Sequence, residues 1–154
     1  MSGASGDTGS GGPPSGRRVA LRQYRRVPIP REAAAHDLAP HPEGGWYRRT
    51  WTSPVTVDTP RGPRPSATAI LYLLDAVSAR HRVASAELWL WHSGSAVELT
   101  TGDPPGTRTV LDATAPQWTV PAGVWQSARL LGPAPALVSC VVSPGFDFAD
   151  FDLA

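Results

Sequence analysis

His81-Arg82-Val83-Ala84-Ser85-Ala86-Glu87-Leu88-Trp89-Leu90-Trp91 carries the alternation on which the fold of this chain turns. Residues two apart on a strand share a face. One face carries His81, Val83, Ser85, Glu87, Trp89 and Trp91; the other carries Arg82, Ala84, Ala86, Leu88, Leu90 and His92. The first face mixes ionisable groups with two indoles. A plain core disfavours such a mixture, because buried polar groups need partners. A ligand pocket uses it, placing a few convergent polar groups among apolar ones. The segment therefore predicts a strand lining a small-molecule pocket, the alternative being a surface strand that carries aromatics.

On either side of this segment, short strand-like runs recur between Pro- and Gly-rich turns: Trp46–Trp51, Ala67–Leu74, Ala96–Thr100, Thr107–Leu111, Trp118–Val120, Gln126–Leu130 and Ala136–Val142. Pro30 opens a helix candidate over Arg31–Leu38. Many short strands with one helix predict an all-β sandwich or barrel. Within these runs Ile70, Tyr72 and Leu74 share a face, Trp46 and Arg48 share another, and the Pro121-Ala122-Gly123 turn aims Trp125 and Gln126.

Composition narrows the function classes. With 154 residues the chain holds one domain. All 14 basic residues are arginine, so neither a lysine Schiff base nor a P-loop lysine is available. A single cysteine, Cys140, excludes an intrachain disulfide and a thiolate metal cluster, and its apolar strand reads it as a buried small hydrophobe. Residues 1–31 form a Gly/Ser/Pro- and Arg-rich arm expected to be disordered; residues 32–154 form the domain. From residue 32 onward 8 arginines face 12 acids, which argues against a nucleic-acid partner. No apolar run is long enough to span a bilayer and no secretory leader is recognised, so a cytoplasmic location is expected.

Five segments in series carry a family resemblance: Pro40-His41-Pro42-Glu43-Gly44-Gly45-Trp46-Tyr47-Arg48, Thr68–Leu74, His81–Trp89, Val120–Arg129 and Ser143–Phe151. Together they resemble the Cupin_5 family over residues 37–154. The resemblance implies a double-stranded β-helix, the cupin jelly-roll barrel, in a homodimer. It also implies small-molecule chemistry of the sugar-epimerase kind. A metal-binding cupin commonly presents three histidines and a glutamate inward. By position, these correspond here to His81, Val83, Glu87 and Gln126, so two strong ligands remain and no metal site is assigned.

The expectation is a small-molecule enzyme without metal or other cofactor. It would perform acid–base isomerisation, epimerisation, dehydration or cyclisation in a tryptophan-lined pocket, in a secondary-metabolic setting suggested by the GC-rich-type composition. His81, Glu87 and Tyr72 are the candidate catalytic residues. Histidine titrates near neutrality, a carboxyl among indoles has a raised pKa, and the phenol can donate. If His81 and Glu87 lay on one extended strand, about 20 Å would separate them; the resemblance to Cupin_5 implies a turn between them, which would shorten the gap. Glu43, Trp46, Arg48, Trp89, Trp91, Trp125 and Gln126 are the candidate substrate-binding residues, with Arg48 suited to an oxyanion and the indoles to a flat ligand. Two alternatives stand beside this one: a non-catalytic binding module, and a weak-site metalloenzyme using a divalent ion on His81, Glu87 and Gln126. His41 is expected to shape a loop, and the Phe146–Asp152 tail to close over the barrel or a dimer interface.

Overall fold

The computed structural model describes residues 28–154. Most of the expected N-terminal arm, residues 1–27, lies outside them. The helix α1 (Arg31–Ala35) is shorter than the sequence predicts. Asp37 takes a left-handed φ of 55°, and the Leu38 N–H returns to the Ala33 carbonyl at 2.9 Å, which ends the helix.

Thirteen strands follow in chain order. They are β1 (Ala39–Pro40), β2 (Trp46–Thr52), β3 (Thr56–Thr59), β4 (Gly62–Pro65), β5 (Thr68–Leu74), β6 (Val77–Val83) and β7 (Ala86–Ser93). After these come β8 (Val97–Thr101), β9 (Thr107–Leu111), β10 (Gln117–Val120), β11 (Gln126–Leu130), β12 (Ala136–Ser143) and β13 (Phe151–Leu153). Six form an antiparallel sheet in the order β1-β2-β5-β12-β7-β10, and five form a second in the order β13-β6-β11-β8-β9. The hairpin β3-β4 stands apart. Two facing antiparallel sheets threaded in this non-sequential order make the double-stranded β-helix expected from the sequence.

The stretch His81–Trp91 is two strands. The chain leaves β6 at Val83 and enters β7 at Ala86, passing from the five-stranded to the six-stranded sheet. The Ala84 N–H bonds the Asp150 carbonyl at 3.0 Å at this corner. Alternation survives the corner, so His81 and Val83 face inward from one sheet while Glu87 and Trp89 face inward from the other. The β3-β4 hairpin is hidden in the sequence because Pro63 and Pro65 obscure it; proline is tolerated there because the pair has no further strand on its flank.

The inward faces divide along the barrel axis. At one end Tyr72, Leu74, Trp89, Val97, Leu99, Leu111, Val120 and Val138 fill the interior. Each fully buried large side chain contributes about 1.5–3 kcal/mol by leaving water. Toward the other end the same strands carry Thr68 and Ile70 on β5, Glu87 on β7, and Cys140 and Val142 on β12, and these line open space. A second, outer cluster of Ala33, Leu38, Trp46 and Leu73 seats α1 on the back of the six-stranded sheet. No buried side-chain nitrogen or oxygen among the described residues lacks a partner.

Gly45 sits at a φ of 72° in the turn before β2, where an added Cβ would lie 2.7 Å from both the Leu73 carbonyl and the Tyr72 hydroxyl. Gly45→Ala is therefore expected to destabilise the fold by about 2–3 kcal/mol, combining left-handed strain with a backbone collision, as read by urea unfolding.

Candidate active site

A cavity of about 710 Å³ opens between the sheets at the end not filled by the core. Its deep end holds Glu43, His81 and Glu87; its walls include Tyr47, Ile70, Val83, Val142, Phe148 and Phe151; Arg48 and Arg49 also line it. The tail after β12 crosses from the six-stranded to the five-stranded sheet over this space. The Gly145 N–H bonds the Pro65 carbonyl at 2.7 Å, and the Phe146 N–H bonds Thr68 Oγ1 at 2.9 Å. Asp150 then receives two hydrogen bonds from Arg64, at 2.8 and 3.1 Å, and β13 pairs with β6. The tail is thus a strap over the cavity, as expected from its alternation of acids and phenylalanines.

The hydrogen bonds fix the polarity of the deep groups. A carbonyl only accepts, so His81 Nδ1 donates to the Ala79 carbonyl at 2.8 Å, and Nε2 of the neutral ring turns its lone pair to Glu43 Oε2, 3.1 Å away. Burial lowers the His81 pKa and raises that of Glu43 well above its ordinary value, with the nearby Glu87 adding to the rise at Glu43. The pair therefore rests as a carboxylic acid donating to a neutral imidazole. His41 is fixed in the opposite tautomer. Its Nδ1 accepts from the Glu43 N–H at 3.2 Å, and burial, followed by the repulsion two protonated rings would feel if His41 and His81 both took a proton, brings its pKa down to about 4.

Glu87 is held by a second chain. Indole N–H only donates, so Trp89 Nε1 donates to Gln126 Oε1 at 3.0 Å, and Gln126 must then turn its amide N–H toward Glu87 Oε2. That oxygen is an acceptor. Any proton on Glu87 resides on its other oxygen. Burial raises the Glu87 pKa, and the Gln126 bond holds the rise in check.

The structure brings His81, Glu87, Glu43 and Arg48 to one cavity, as the sequence predicts. Gln126 supports Glu87 from behind. Tyr72 is fully buried beside the site; its hydroxyl donates to the Gly44 carbonyl at 2.8 Å and braces the Glu43 turn without lining the cavity. The tryptophans expected to wall the pocket lie elsewhere. Trp46 faces α1 and donates to Asp75; Trp89 is in the core; Trp91 packs beside that core and donates to the Ser95 carbonyl; and Trp125 is stacked by Arg80 and Arg82 at 4.6 and 4.8 Å. The face assignment of β2 reverses accordingly: Trp46 points to the helix and Tyr47 to the cavity. The aromatic wall is instead Tyr47, Phe148 and Phe151, with the His41 ring edge-on to Tyr47 at 4.6 Å. The signal for His41 was its spacing, two residues before Glu43.

The profile of the Cupin_5 family, described as Cupin superfamily (DUF985), matches residues 32–154. The chain is a member of the Cupin_5 family. A hypothetical protein from Leishmania major is 31% identical with a TM-score of 0.73, covering 79% of this chain and 84% of that one. A protein from Shewanella oneidensis is 33% identical with a TM-score of 0.70, covering 80% and 82%. An uncharacterized conserved protein with a double-stranded β-helix domain from Klebsiella pneumoniae is 20% identical with a TM-score of 0.57, covering 78% and 92%, a likeness of fold. No curated protein matches the chain.

The donors of this Cupin_5 member do not suit the metal that many cupins hold. Val83 has no ligating atom, the Gln126 oxygen faces the Trp89 indole, and His81 Nε2 faces Glu43. Among the described residues no group of three His, Cys, Asp or Glu side chains is placed to share an ion. These donors, each already engaged within the protein, do not fit a divalent metal. No helix among the described residues is long and apolar enough to cross a membrane.

The buried groups set opposing pH limits. His41 and His81 bind protons more readily unfolded than folded, so their contribution is full above 6.5 and falls as the pH drops toward about 4, the folded value of His41. Glu43 and Glu87 have raised folded pKa values, so their contribution is full below 4.5 and is lost as the pH rises through those folded values. Thermal unfolding should show a stability maximum between these limits. Glu43→Gln keeps a donor toward His81 and should lessen the loss on the alkaline side, leaving the share of Glu87, which a series of melts from acid to alkaline pH would read.

Proposed function

We propose that this Cupin_5 protein is a small-molecule enzyme that moves protons on an organic metabolite without a metal, by isomerisation, epimerisation, dehydration or cyclisation. The single observation that carries this reading is the Glu43–His81 contact of 3.1 Å facing the same cavity as Glu87. One buried pair holds a proton to give, and a separate carboxyl of raised pKa stands ready to receive one. Pairs of titratable groups given different roles by their surroundings are the mark of acid–base sites.

In a dehydration, Glu87 takes a proton from a C–H bond whose electrons form the new double bond. The hydroxyl on the neighbouring carbon leaves with the proton of the Glu43–His81 pair as water. In an isomerisation the pair returns its proton to a different carbon, and Glu87 passes the proton it took back to the pair through solvent. A carboxylate with a raised pKa is a stronger base than a solvated one, which suits the abstraction. Tyr72 acts through Glu43, and Gln126 acts through Glu87. A homodimeric, cytoplasmic protein serving secondary metabolism is the setting proposed with this activity.

The test uses the full chain, incubated in D2O with a bacterial small-molecule extract and read by mass spectrometry. The wild type should deuterate or dehydrate at least one compound, with the rate unaffected by a chelator. His81→Asn and Glu87→Gln should each lower that rate by about 10²–10⁴-fold while retaining binding of the same compound. Loss of turnover on chelation would return the reaction to a metal, and an extract left unchanged by the wild type would make the protein a binding module.

A further inference from the structure

Arg48 and Arg49 are consecutive on β2, and both reach the cavity. Each is tied down by a backbone carbonyl. Arg48 Nε donates to the His36 carbonyl at 3.0 Å, on the α1 side, and Arg49 Nη2 donates to the Phe146 carbonyl at 3.1 Å, on the strap. A carbonyl fixes a guanidinium without neutralising it. Neither arginine has a carboxylate within 4.0 Å among the described residues, whereas Arg61, Arg64, Arg80, Arg82, Arg108 and Arg129 all do. Asp37 and Asp147 line the same cavity, but Asp147 Oδ1 is engaged by the Ala149 N–H at 2.8 Å. Two positioned forks with unspent donors at one cavity are suited to an oxyanion.

The deep end is unsuited to an anion. Glu43 and Glu87 stand there, and a negative group beside them would have no cation to meet, since His41 and His81 are held neutral by their surroundings. Between the deep end and the arginines runs the aromatic wall of Tyr47, Phe148 and Phe151, with ring pairs crossing edge to face. Such a wall takes the flat face of a ring.

We infer that the substrate is a ring-bearing oxyanion, a carboxylate or phosphate gripped by Arg48 and Arg49 with its ring along Tyr47, Phe148 and Phe151 and its reacting carbon at Glu43, His81 and Glu87. The inference rests on the proposed function for the reacting end alone. The anion grip stands by itself, because it is read by binding and not by turnover.

The test is calorimetric titration of the full chain with phenylacetate and with phenyl phosphate, against the uncharged 2-phenylethanol and the ring-free acetate and inorganic phosphate. Saturable binding of at least one ring-bearing anion is expected, weakening as salt is raised. The preferred anion separates carboxylate from phosphate recognition. Arg48→Gln and Arg49→Gln should each weaken it about tenfold, the loss expected for one charge-assisted hydrogen bond. Arg108→Gln, on the far strand β9, should leave it unchanged. Because Arg49 also holds the strap, Arg48→Gln and the salt dependence serve as readouts that do not depend on strap position. Equal binding of 2-phenylethanol, undiminished binding in both arginine variants, or no saturable binding of either ring-bearing anion at millimolar concentration would overturn the inference. Retained anion binding in Glu43→Gln without any turnover in the wild type would overturn the acid–base reading and leave the anion grip standing.

Discussion

Gln126 spans the gap between the two sheets at the level where core gives way to cavity. It stands on β11 in the five-stranded sheet, yet both its partners, Trp89 and Glu87, stand on β7 in the six-stranded one. An indole that can only donate forces the amide into one orientation, and that orientation makes Glu87 Oε2 an acceptor. Buried polar groups left unpaired cost far more than paired ones return. The packing of Trp89 in the core and the choice of accepting oxygen on Glu87 in the site are therefore tied together by one hydrogen-bond chain. A loosened core would misalign the base, and a substitution at the base would leave a core amide without its partner.

The same logic governs the other carboxyl. Glu43 sits in the turn before β2, where the next residue's carbonyl, that of Gly44, is held by Tyr72 and Gly45 has no room for a side chain. That bracing presents Glu43 to His81, while the Ala79 carbonyl sets the imidazole tautomer that can receive it. Burial then selects the neutral acid–neutral base form over the ion pair, because charge separation away from water is expensive. Stability and chemistry pull in different directions here, since the groups that make the cavity reactive are the ones that limit its pH range.

A cavity graded from buried carboxyl groups through an aromatic wall to two adjacent arginines also orders its occupant. The strap supplies much of that wall and is itself fastened at Asp150 by Arg64 and at Phe146 by Arg49. Arg49 thus belongs to the closure of the barrel as well as to the binding surface.

Much of this was legible in the sequence. Strand-like runs between Pro- and Gly-rich turns placed seven of the strands within a residue or two, and the run of five motifs led to the family and the barrel. His81 and Glu87 stood out as site residues because an ionisable group set into an apolar strand is costly to bury and is found mainly where its chemistry is used; Glu43 came from the Pro40–Arg48 motif and Arg48 from its guanidinium fork. Which face of each strand turned inward at its ends was settled only by packing in three dimensions. Alternation gives relative phase and not absolute direction, so Trp46 could not be told from Tyr47 until α1 was seen to cover one side of β2. Alternation also carries no depth: Trp89 and Glu87 share a face, yet one is core and the other is site. The tautomers of His41 and His81, and the orientation of Gln126, depend on carbonyls and an indole that folding brings beside them. The order of residues specified the set of groups and the barrel that carries them. Which of those groups share a proton was left to the folded arrangement, since hydrogen-bond polarity is a property of neighbours in space.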